Sequence, residues 1–273
     1  MGIPERRILK QFEEQEFPKW KRMINETAGF DVAMDIDWLS MELNGESHLY
    51  MNAIPKVYFM PLIDAIKSVS ADAVGTAAIK DGLKRVVING KTGTTAQAWR
   101  FEDGVLNVNH ICINNIDDVK DRTDWLIKTF ETKLATPGGI RLRERRALNQ
   151  FQELSYPAIK KQIDAAAGFE VTIEVDWNSL VIEGHSHLFL DAFAKVFFIP
   201  ILESVKRIAT DEIGKDALKA CLKKIIIDGT AGSTPRSWII KDGVLTIRHL
   251  PTTNIDNVAE RIDWLTSMLE KAF

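Results

Sequence analysis

The sequence predicts an α+β protein made of two tandem copies of one domain. One observation is that residue types recur along the chain at a constant offset of 139 positions, as from Glu5 to Glu144. A second is that helical spacing of apolar residues gives way, within each copy, to short stretches of strict apolar–polar alternation. A third is that turn dipeptides such as Asp103-Gly104 separate neighbouring strands. We therefore expect a mostly antiparallel sheet in each copy, covered by helices.

The repeat runs without a gap to Leu134, whose counterpart is Phe273. Further matched segments are Gly29-Phe30 with Gly168-Phe169, Asp37-Trp38 with Asp176-Trp177, Ser47-His48-Leu49 with Ser186-His187-Leu188, and Asn115-Ile116-Asp117 with Asn254-Ile255-Asp256. The domains are predicted over residues 1–134 and 140–273, with a linker over 135–139 that contains Pro137 and two glycines. Because this linker is short, we expect the copies to pack together as a pseudo-dimer.

The first third of each copy is predicted to form two helices and a strand. A helix over 5–16 has Leu9 and Phe12 inward, and a second helix has Pro18 in its first turn and Gly29 as its C-terminal residue. Residues 30–38 then alternate between apolar and polar side chains, which predicts a half-buried strand. The second copy repeats the pattern with Pro157 and Gly168.

The middle third is predicted to hold a hairpin followed by helices. Asn44-Gly45 has the composition of a tight turn, and a strand is expected over 47–51. Asn52 is the expected N-cap of the next helix, with Asp191 as its counterpart. Pro61 must kink that helix or begin a new one, and a strand over 56–60 is the competing interpretation.

The last third is predicted to contain a helix, three strands and a final helix. The first helix opens at Asp72 and reaches about Lys84, and a strand follows over 85–89. After a hydroxyl-rich loop, strands over 97–101 and 104–110 are joined at Asp103-Gly104. Asn115, or Asn254 in the second copy, is the expected cap of the last helix.

The hydroxyl-rich loop contains Gly90-Lys91-Thr92, which resembles the end of a phosphate-binding loop. Such a loop also needs a glycine five residues before Gly90, where this chain has Arg85. In the second copy the loop, residues 228–234, has no lysine. We therefore expect the loop to join two strands, with its hydroxyl groups bonded to local backbone.

Four of the five histidines occur as matched pairs, His48 with His187 and His110 with His249. His185 has Glu46 as its counterpart. If residues 46–48 are extended, Glu46 and His48 share a face, as do His185 and His187. Either pair could contribute two ligands to a divalent metal, with His110 or His249 as a third. No metal-binding signature accompanies them, so we expect these histidines to form hydrogen bonds and no metal site.

Asp37 and Asp176 are candidate binding or catalytic carboxylates, because each lies on the polar face of the first strand of its copy. The alternative is that both are solvated strand residues. Ser47 and His48 are adjacent, and adjacent strand residues point to opposite faces, so they are not a nucleophile and its base. The sequence therefore predicts no catalytic residues and no cofactor.

Composition and charge favour a cytosolic protein that binds other proteins. The 273 residues have a net charge of −3 and only two cysteines, Cys112 and Cys221, which do not occupy matched positions. A nucleic-acid or membrane-surface protein would normally be basic, and no apolar stretch suits a bilayer or a signal peptide. We predict a non-catalytic binding protein of the adaptor, chaperone or neutralising type. The alternative is an enzyme or metal protein whose site lies between the copies and uses the histidines and aspartates.

Overall fold

The computed structural model describes residues 2–136, 138–230 and 237–273, and divides the chain into two compact units. The units are Met1–Leu142 and Arg143–Phe273. Each contains helices and one small four-stranded sheet, so the predicted α+β class is confirmed. Pro137 of the predicted linker lies outside the described residues, as do residues 231–234 of the second hydroxyl-rich loop. The packing of the copies as a pseudo-dimer stays a prediction.

The helices and strands of the first unit follow one another in a single order. They are α1 (Ile3–Gln11), α2 (Phe17–Ala28), β1 (Ala33–Asp37), α3 (Tyr50–Ile54), α4 (Met60–Val69), α5 (Ala73–Gly82), β2 (Arg85–Asn89), β3 (Arg100–Glu102), β4 (Val105–Asn109) and α6 (Val119–Lys133). The described elements of the second unit follow the same order, beginning with α7, whose first residue is Leu142. They are α7 (Leu142–Gln150), α8 (Tyr156–Ala167), β5 (Ile173–Val175), α9 (Phe189–Phe193), α10 (Ile199–Ile208), α11 (Glu212–Cys221), β6 (Lys224–Asp228), β7 (Ile239–Lys241), β8 (Val244–Arg248) and α12 (Val258–Ala272).

The prediction of mostly antiparallel sheets is wrong. The strand orders are β1-β2-β4-β3 and β5-β6-β8-β7, and only the last pair in each order is antiparallel. The turn at Asp103-Gly104 does join an antiparallel hairpin, as expected. The chain between β1 and β2, however, forms helices α3 to α5, and a long crossover of this kind brings the second strand back parallel to the first.

The predicted strand over 47–51 is also wrong, because that segment is helical. Asn44-Gly45 does form a turn, with Gly45 at a φ of +79°, but the chain continues as a 3-10 helix over Ser47–Leu49 and then as α3. Tyr50, Ile54 and Val57 are fully buried at helical spacing, so the periodicity of the next helix already begins at Tyr50. The competing strand over 56–60 is not formed.

Neither predicted asparagine cap is observed. Asn52 and its counterpart Asp191 lie inside helices α3 and α9, where Asp191 pairs with Lys195 at 2.9 Å. Asn115 and Asn254 instead adopt left-handed backbone conformations, in the turns that precede α6 and α12. By contrast, the predicted cap at Asp72 is confirmed, because its carboxylate accepts a hydrogen bond from the Gly75 amide at 2.6 Å.

Prolines inside the long helical stretches are accommodated by wide π-helical turns. Phe12–Glu16 and Pro55–Phe59 are π-helical, and each is followed after one residue by a proline, Pro18 or Pro61. The second unit repeats this at Phe151–Ser155 and Ala194–Phe198, before Pro157 and Pro200. A proline has no N–H and its ring collides with the carbonyl four residues earlier, so widening the preceding turn allows the helix to continue.

Candidate functional site

The three parallel strands of each sheet end side by side. In the first unit Asp37 ends β1 opposite Asn89 of β2, and Asn89 lies opposite Asn109 of β4. In the second unit Asp228 of β6 lies opposite Arg248 of β8, and Asp176 directly follows β5. We call these regions the carboxyl-end surfaces; they comprise residues 37–40, 89–92 and 109 in the first unit and residues 176–179, 228–230 and 248 in the second. In open α/β sheets, ligands bind at such strand ends.

Asp37 organises the first carboxyl-end surface. Its Oδ1 accepts a hydrogen bond from the Ser40 amide at 3.2 Å, while its Oδ2 lies 3.4 Å from Nζ of Lys91. Ser40 Oγ donates to the Asp37 carbonyl at 2.5 Å and accepts from the Gly90 amide at 2.7 Å. The carboxylate therefore caps the turn after β1, and the serine joins that turn to the loop after β2.

Asp176 has the same position in the second unit. Its Oδ1 accepts from the Ser179 amide at 3.3 Å, and Ser179 Oγ donates to the Asp176 carbonyl at 2.6 Å. Ser179 Oγ also accepts from the Gly229 amide at 2.8 Å. Both aspartates thus hold a turn, and among the described contacts neither carboxylate touches a side-chain hydroxyl, a thiol or a histidine.

The loop after β2 does not form a phosphate cradle. The Gly90 amide is bonded to Ser40, the Lys91 amide donates to Asn89 Oδ1 at 3.0 Å, and the Thr92 amide donates to Asn109 Oδ1 at 3.2 Å. A phosphate loop must offer such N–H groups to its ligand, followed by the N-terminus of a helix. Here the next regular elements are a single 3-10 turn and β3, which agrees with the expected strand-joining loop.

The charges on the two carboxyl-end surfaces differ although the turns beneath them match. In the first unit Lys91 extends beside Asp37, and both side chains are about half exposed at 61% and 46%. In the second unit Thr230 replaces Lys91, and the charged pair is Arg248 with Asp228 at 3.6 Å. Matching backbones therefore present different charged groups to solvent.

His110 is fully buried behind the first carboxyl-end surface and belongs to the core. Its Nε2 lies 3.1 Å from the Asn114 carbonyl and 3.3 Å from Nη2 of Arg122, which is 1% exposed. Trp99 contacts the imidazole edge to face, with ring centroids 6.2 Å apart. Arg122 Nη2 also donates to the Asn114 and Asn115 carbonyls at 3.2 and 2.5 Å. The cluster closes the turn between β4 and α6.

Burial controls ionisation in this cluster. It lowers the pKa of His110, against the opposing effect of the Asn114 carbonyl, so the neutral imidazole is favoured. Burial also lowers the pKa of the Arg122 guanidinium and raises the pKa of the Tyr58 hydroxyl. Tyr58 donates to the His110 carbonyl at 2.5 Å. No group in the cluster is presented to solvent as an acid or base.

The second unit builds the same cluster around His249. Nη2 of Arg261 lies 3.3 Å from His249 Nε2 and donates to the Thr253 and Asn254 carbonyls at 3.1 and 2.6 Å. Trp238 again contacts the imidazole edge to face. His249 is fully buried, so neither it nor His110 is placed to bind a metal with a surface histidine.

The remaining histidines lie on surface turns, and the strand geometry expected for them is absent. Glu46 precedes the 3-10 helix in which His48 is exposed, and among the described residues the two side chains are not in contact. His185 and His187 do lie together, with nearly parallel rings whose centroids are 6.4 Å apart. Nδ1 of His185 lies 2.9 Å from the Glu183 carbonyl. Across the described residues, no three His, Cys, Asp or Glu side chains are grouped to hold a metal ion.

Sequence reasoning missed the buried arginines and a cavity beside one of them. The cavity has a volume of about 320 Å³. Its walls include the hydroxyl-rich loop at Thr94 and Thr95, the first turns of α6, Arg122 and Trp125. The sequence does contain a signal for them. Arg122 and Arg261 are separated by the repeat offset of 139 residues, and each lies among apolar positions of the last helix of its unit. No helix within the described ranges has the length and hydrophobicity needed to cross a bilayer.

No protein-family model, curated protein or solved structure is similar enough to this chain to match it.

Proposed function

We propose that this chain is a non-catalytic binding protein built by internal duplication, and that its carboxyl-end surfaces recognise a protein partner. One observation carries the proposal: the two units share the same hydrogen-bonded turns at their carboxyl-end surfaces, but the exposed charges on those surfaces differ. The serine bridge at Ser40 recurs at Ser179 with distances that agree within about 0.1 Å. The exposed charges nearby, Lys91 and Arg248, do not recur.

The candidate catalytic groups are all held in structural contacts, which supports a binding role over a catalytic one. Asp37 and Asp176 cap turns, and His110 and His249 are buried in clusters that close turns. A general base must reach the proton that it removes, and a buried imidazole beside an arginine does not. A rigid polar surface with exposed charges suits the rim of a protein interface.

A protein is proposed as the partner because the chain is slightly acidic, with a net charge of −3, whereas domains that bind nucleic acid are normally basic. The unpaired thiols of Cys112 and Cys221 suit a reducing compartment, so we propose that binding takes place in the cytosol. We also retain the proposal that the two copies pack as a pseudo-dimer, which would present both surfaces on one particle.

Quantitative affinity capture from native lysate tests this proposal. Lys91→Glu and Arg248→Glu reverse one exposed charge on each carboxyl-end surface. Lys80→Glu and Lys219→Glu are matched controls, because these exposed lysines lie on α5 and α11, outside both surfaces. We expect the wild type to capture a protein in stoichiometric amount. A surface variant should recover at least about tenfold less of that protein, and its control variant should recover the same amount as the wild type.

Equal recovery of the partner by all four variants would contradict the assignment of these surfaces. Metal analysis on the same preparations tests the alternative of an enzyme or metal protein. We expect the metal content to be unchanged when His48 and His187 are both replaced by Asn. A stoichiometric metal that disappears with this double change would instead favour the metal site.

A further inference from the structure

The cavity beside Arg122 has in its wall a buried cation whose hydrogen-bonding capacity is only partly used. The cavity volume of about 320 Å³ is at the small end of the range for ligand pockets, and Arg122 is 1% exposed. Nη2 of Arg122 donates to two carbonyls, but its buried Nε and Nη1 have no hydrogen-bond partner among the described residues. A buried donor without an acceptor costs free energy, so an acceptor oxygen on a ligand would stabilise this guanidinium.

Two carboxylates that line the same cavity are not engaged by other side chains. Asp118 and Asp121 are both exposed, and within the part of the chain that the structure describes neither carboxylate forms an ion pair or a hydrogen bond. The third lining carboxylate, Asp124, is paired with Lys120. The cavity therefore combines buried donors with two negative charges on its exposed side.

In the second unit the corresponding groups bond to one another and to the backbone. Nη1 of Arg261 donates to the Ile255 carbonyl at 3.3 Å. Asn257 has the position of Asp118, and its Nδ2 donates at 3.3 Å to Oε2 of Glu260, which has the position of the second aspartate. The first unit thus leaves open the groups that the second unit satisfies internally.

The cavity also has an apolar wall that is held in place. Trp125 lines it and is half-buried, and Trp99 packs edge to face against the Trp125 indole with ring centroids 6.0 Å apart. The buried side chain of Ala96 lines the same cavity. A fixed indole beside a methyl group suits contact with an apolar group of a ligand.

We propose that this cavity binds a free α-amino acid with an apolar side chain. The carboxylate of the ligand accepts hydrogen bonds from Arg122, and its ammonium group pairs with Asp118 or Asp121. Its side chain lies against Trp125. A simple anion is repelled by the two aspartates and a simple cation by the guanidinium, whereas a zwitterion complements both charges. The site is separate from the proposed protein-binding surfaces, because none of its lining residues belongs to them.

Isothermal titration calorimetry of the full-length chain with each of the twenty common L-amino acids tests the proposal. We expect at least one amino acid with an apolar side chain to bind with a dissociation constant below about 1 mM. The N-acetyl derivative of that amino acid lacks the ammonium group, and its amide lacks the carboxylate. Each derivative should therefore bind at least about tenfold more weakly than the amino acid itself.

Substitutions in the two units locate the site. The double change Asp118→Asn and Asp121→Asn affects only exposed carboxylates, so the variant should fold normally and bind the amino acid at least about tenfold more weakly. Glu260→Gln, in the second unit, is the matched control and should leave the affinity unchanged. Arg122→Met should abolish binding, while Arg261→Met should retain it. Should Arg122→Met fail to fold, the double aspartate variant decides.

Three results would overturn the proposal. One is that no amino acid binds at concentrations up to about 10 mM. Another is that the N-acetyl derivative binds as tightly as the amino acid, which would mean that the aspartates do not recognise an ammonium group. The third is that Glu260→Gln weakens binding as much as the double aspartate change.

Discussion

Arg122 reaches across the turn between β4 and α6 to His110, with 3.3 Å between Nη2 and Nε2, and Arg261 and His249 repeat the contact at 3.3 Å. Both arginines are 1% exposed, and each donates to two carbonyls of its turn. A buried guanidinium in the same place in both units indicates that this polar cluster is part of the scaffold that positions the carboxyl-end surfaces.

Replacing Arg122 by Met should lower the free energy of unfolding by about 3 kcal/mol, because the Asn114 and Asn115 carbonyls lose charge-assisted hydrogen bonds inside the protein. Urea unfolding followed by circular dichroism measures the change. Lys128→Met is the matched control, since Lys128 is an exposed cation on the same helix. A loss of less than about 1 kcal/mol for Arg122→Met would show that the guanidinium contributes little.

The stability of the first unit should depend on the titration of His110. Burial lowers the pKa of His110 in the folded chain, so the unfolded chain binds the proton more tightly. This contribution to stability is therefore complete above about pH 6.5, the pKa of an unfolded histidine, and is lost as the pH falls through the folded pKa. Urea midpoints at several pH values should fall less steeply for His110→Asn than for wild type. If the urea midpoints of the two proteins fell equally with decreasing pH, the result would contradict the assignment of this pH dependence to His110.

Removing the Tyr58 hydroxyl should cost about 1 kcal/mol, because its hydrogen bond to the His110 carbonyl is lost. The second unit has Phe197 at the matched position, so the fold accepts phenylalanine there. Tyr156→Phe is the control, since that hydroxyl makes no hydrogen bond within the part of the chain that the structure describes, and the change should alter the free energy of unfolding by less than about 0.5 kcal/mol. If both changes lowered the free energy of unfolding equally, the loss for Tyr58→Phe would have to be assigned to packing and not to the hydrogen bond.

Cys112 should resist alkylation in the folded chain. Burial raises the pKa of its thiol to about 12, so almost no thiolate exists at pH 8, whereas Cys221 is partly exposed. Peptide mapping after a brief treatment with iodoacetamide should find Cys221 modified before Cys112. Modification of both thiols at the same rate in the native chain would indicate that the segment around Cys112 opens readily.

The features that the sequence predicted correctly are those determined by a few neighbouring residues. The strand over 85–89, the cap at Asp72 and the helix end at Gly29 agree with the structure, because alternation, side-chain capping and a left-handed glycine each act within a few residues. Strand direction has no such local signal. It depends on the long helical crossover between β1 and β2, whose helical character at 47–51 was missed.

The candidate site was harder to predict because its key groups are brought together by tertiary contacts. The alternation over residues 30–38 predicts that Asp37 lies on the polar face of a strand. Its contact with Ser40 depends on the turn that follows β1, and its contact with Lys91 depends on the parallel register of β1 and β2. The sequence leaves His110 as a possible third metal ligand, whereas the fold buries it against Arg122. Charged side chains are expected to avoid the core, so a buried arginine was not inferred from spacing alone.

Hydrogen-exchange mass spectrometry of the chain with its captured partner tests the central claim most directly, since it locates the binding surface without a substitution. We expect the partner to slow exchange at one or both carboxyl-end surfaces, within residues 37–40, 89–92 and 109 or within residues 176–179, 228–230 and 248, and to leave exchange in α5 and α11 unchanged. Protection confined to other elements, with none at either strand end, would contradict the proposal that these surfaces recognise a protein.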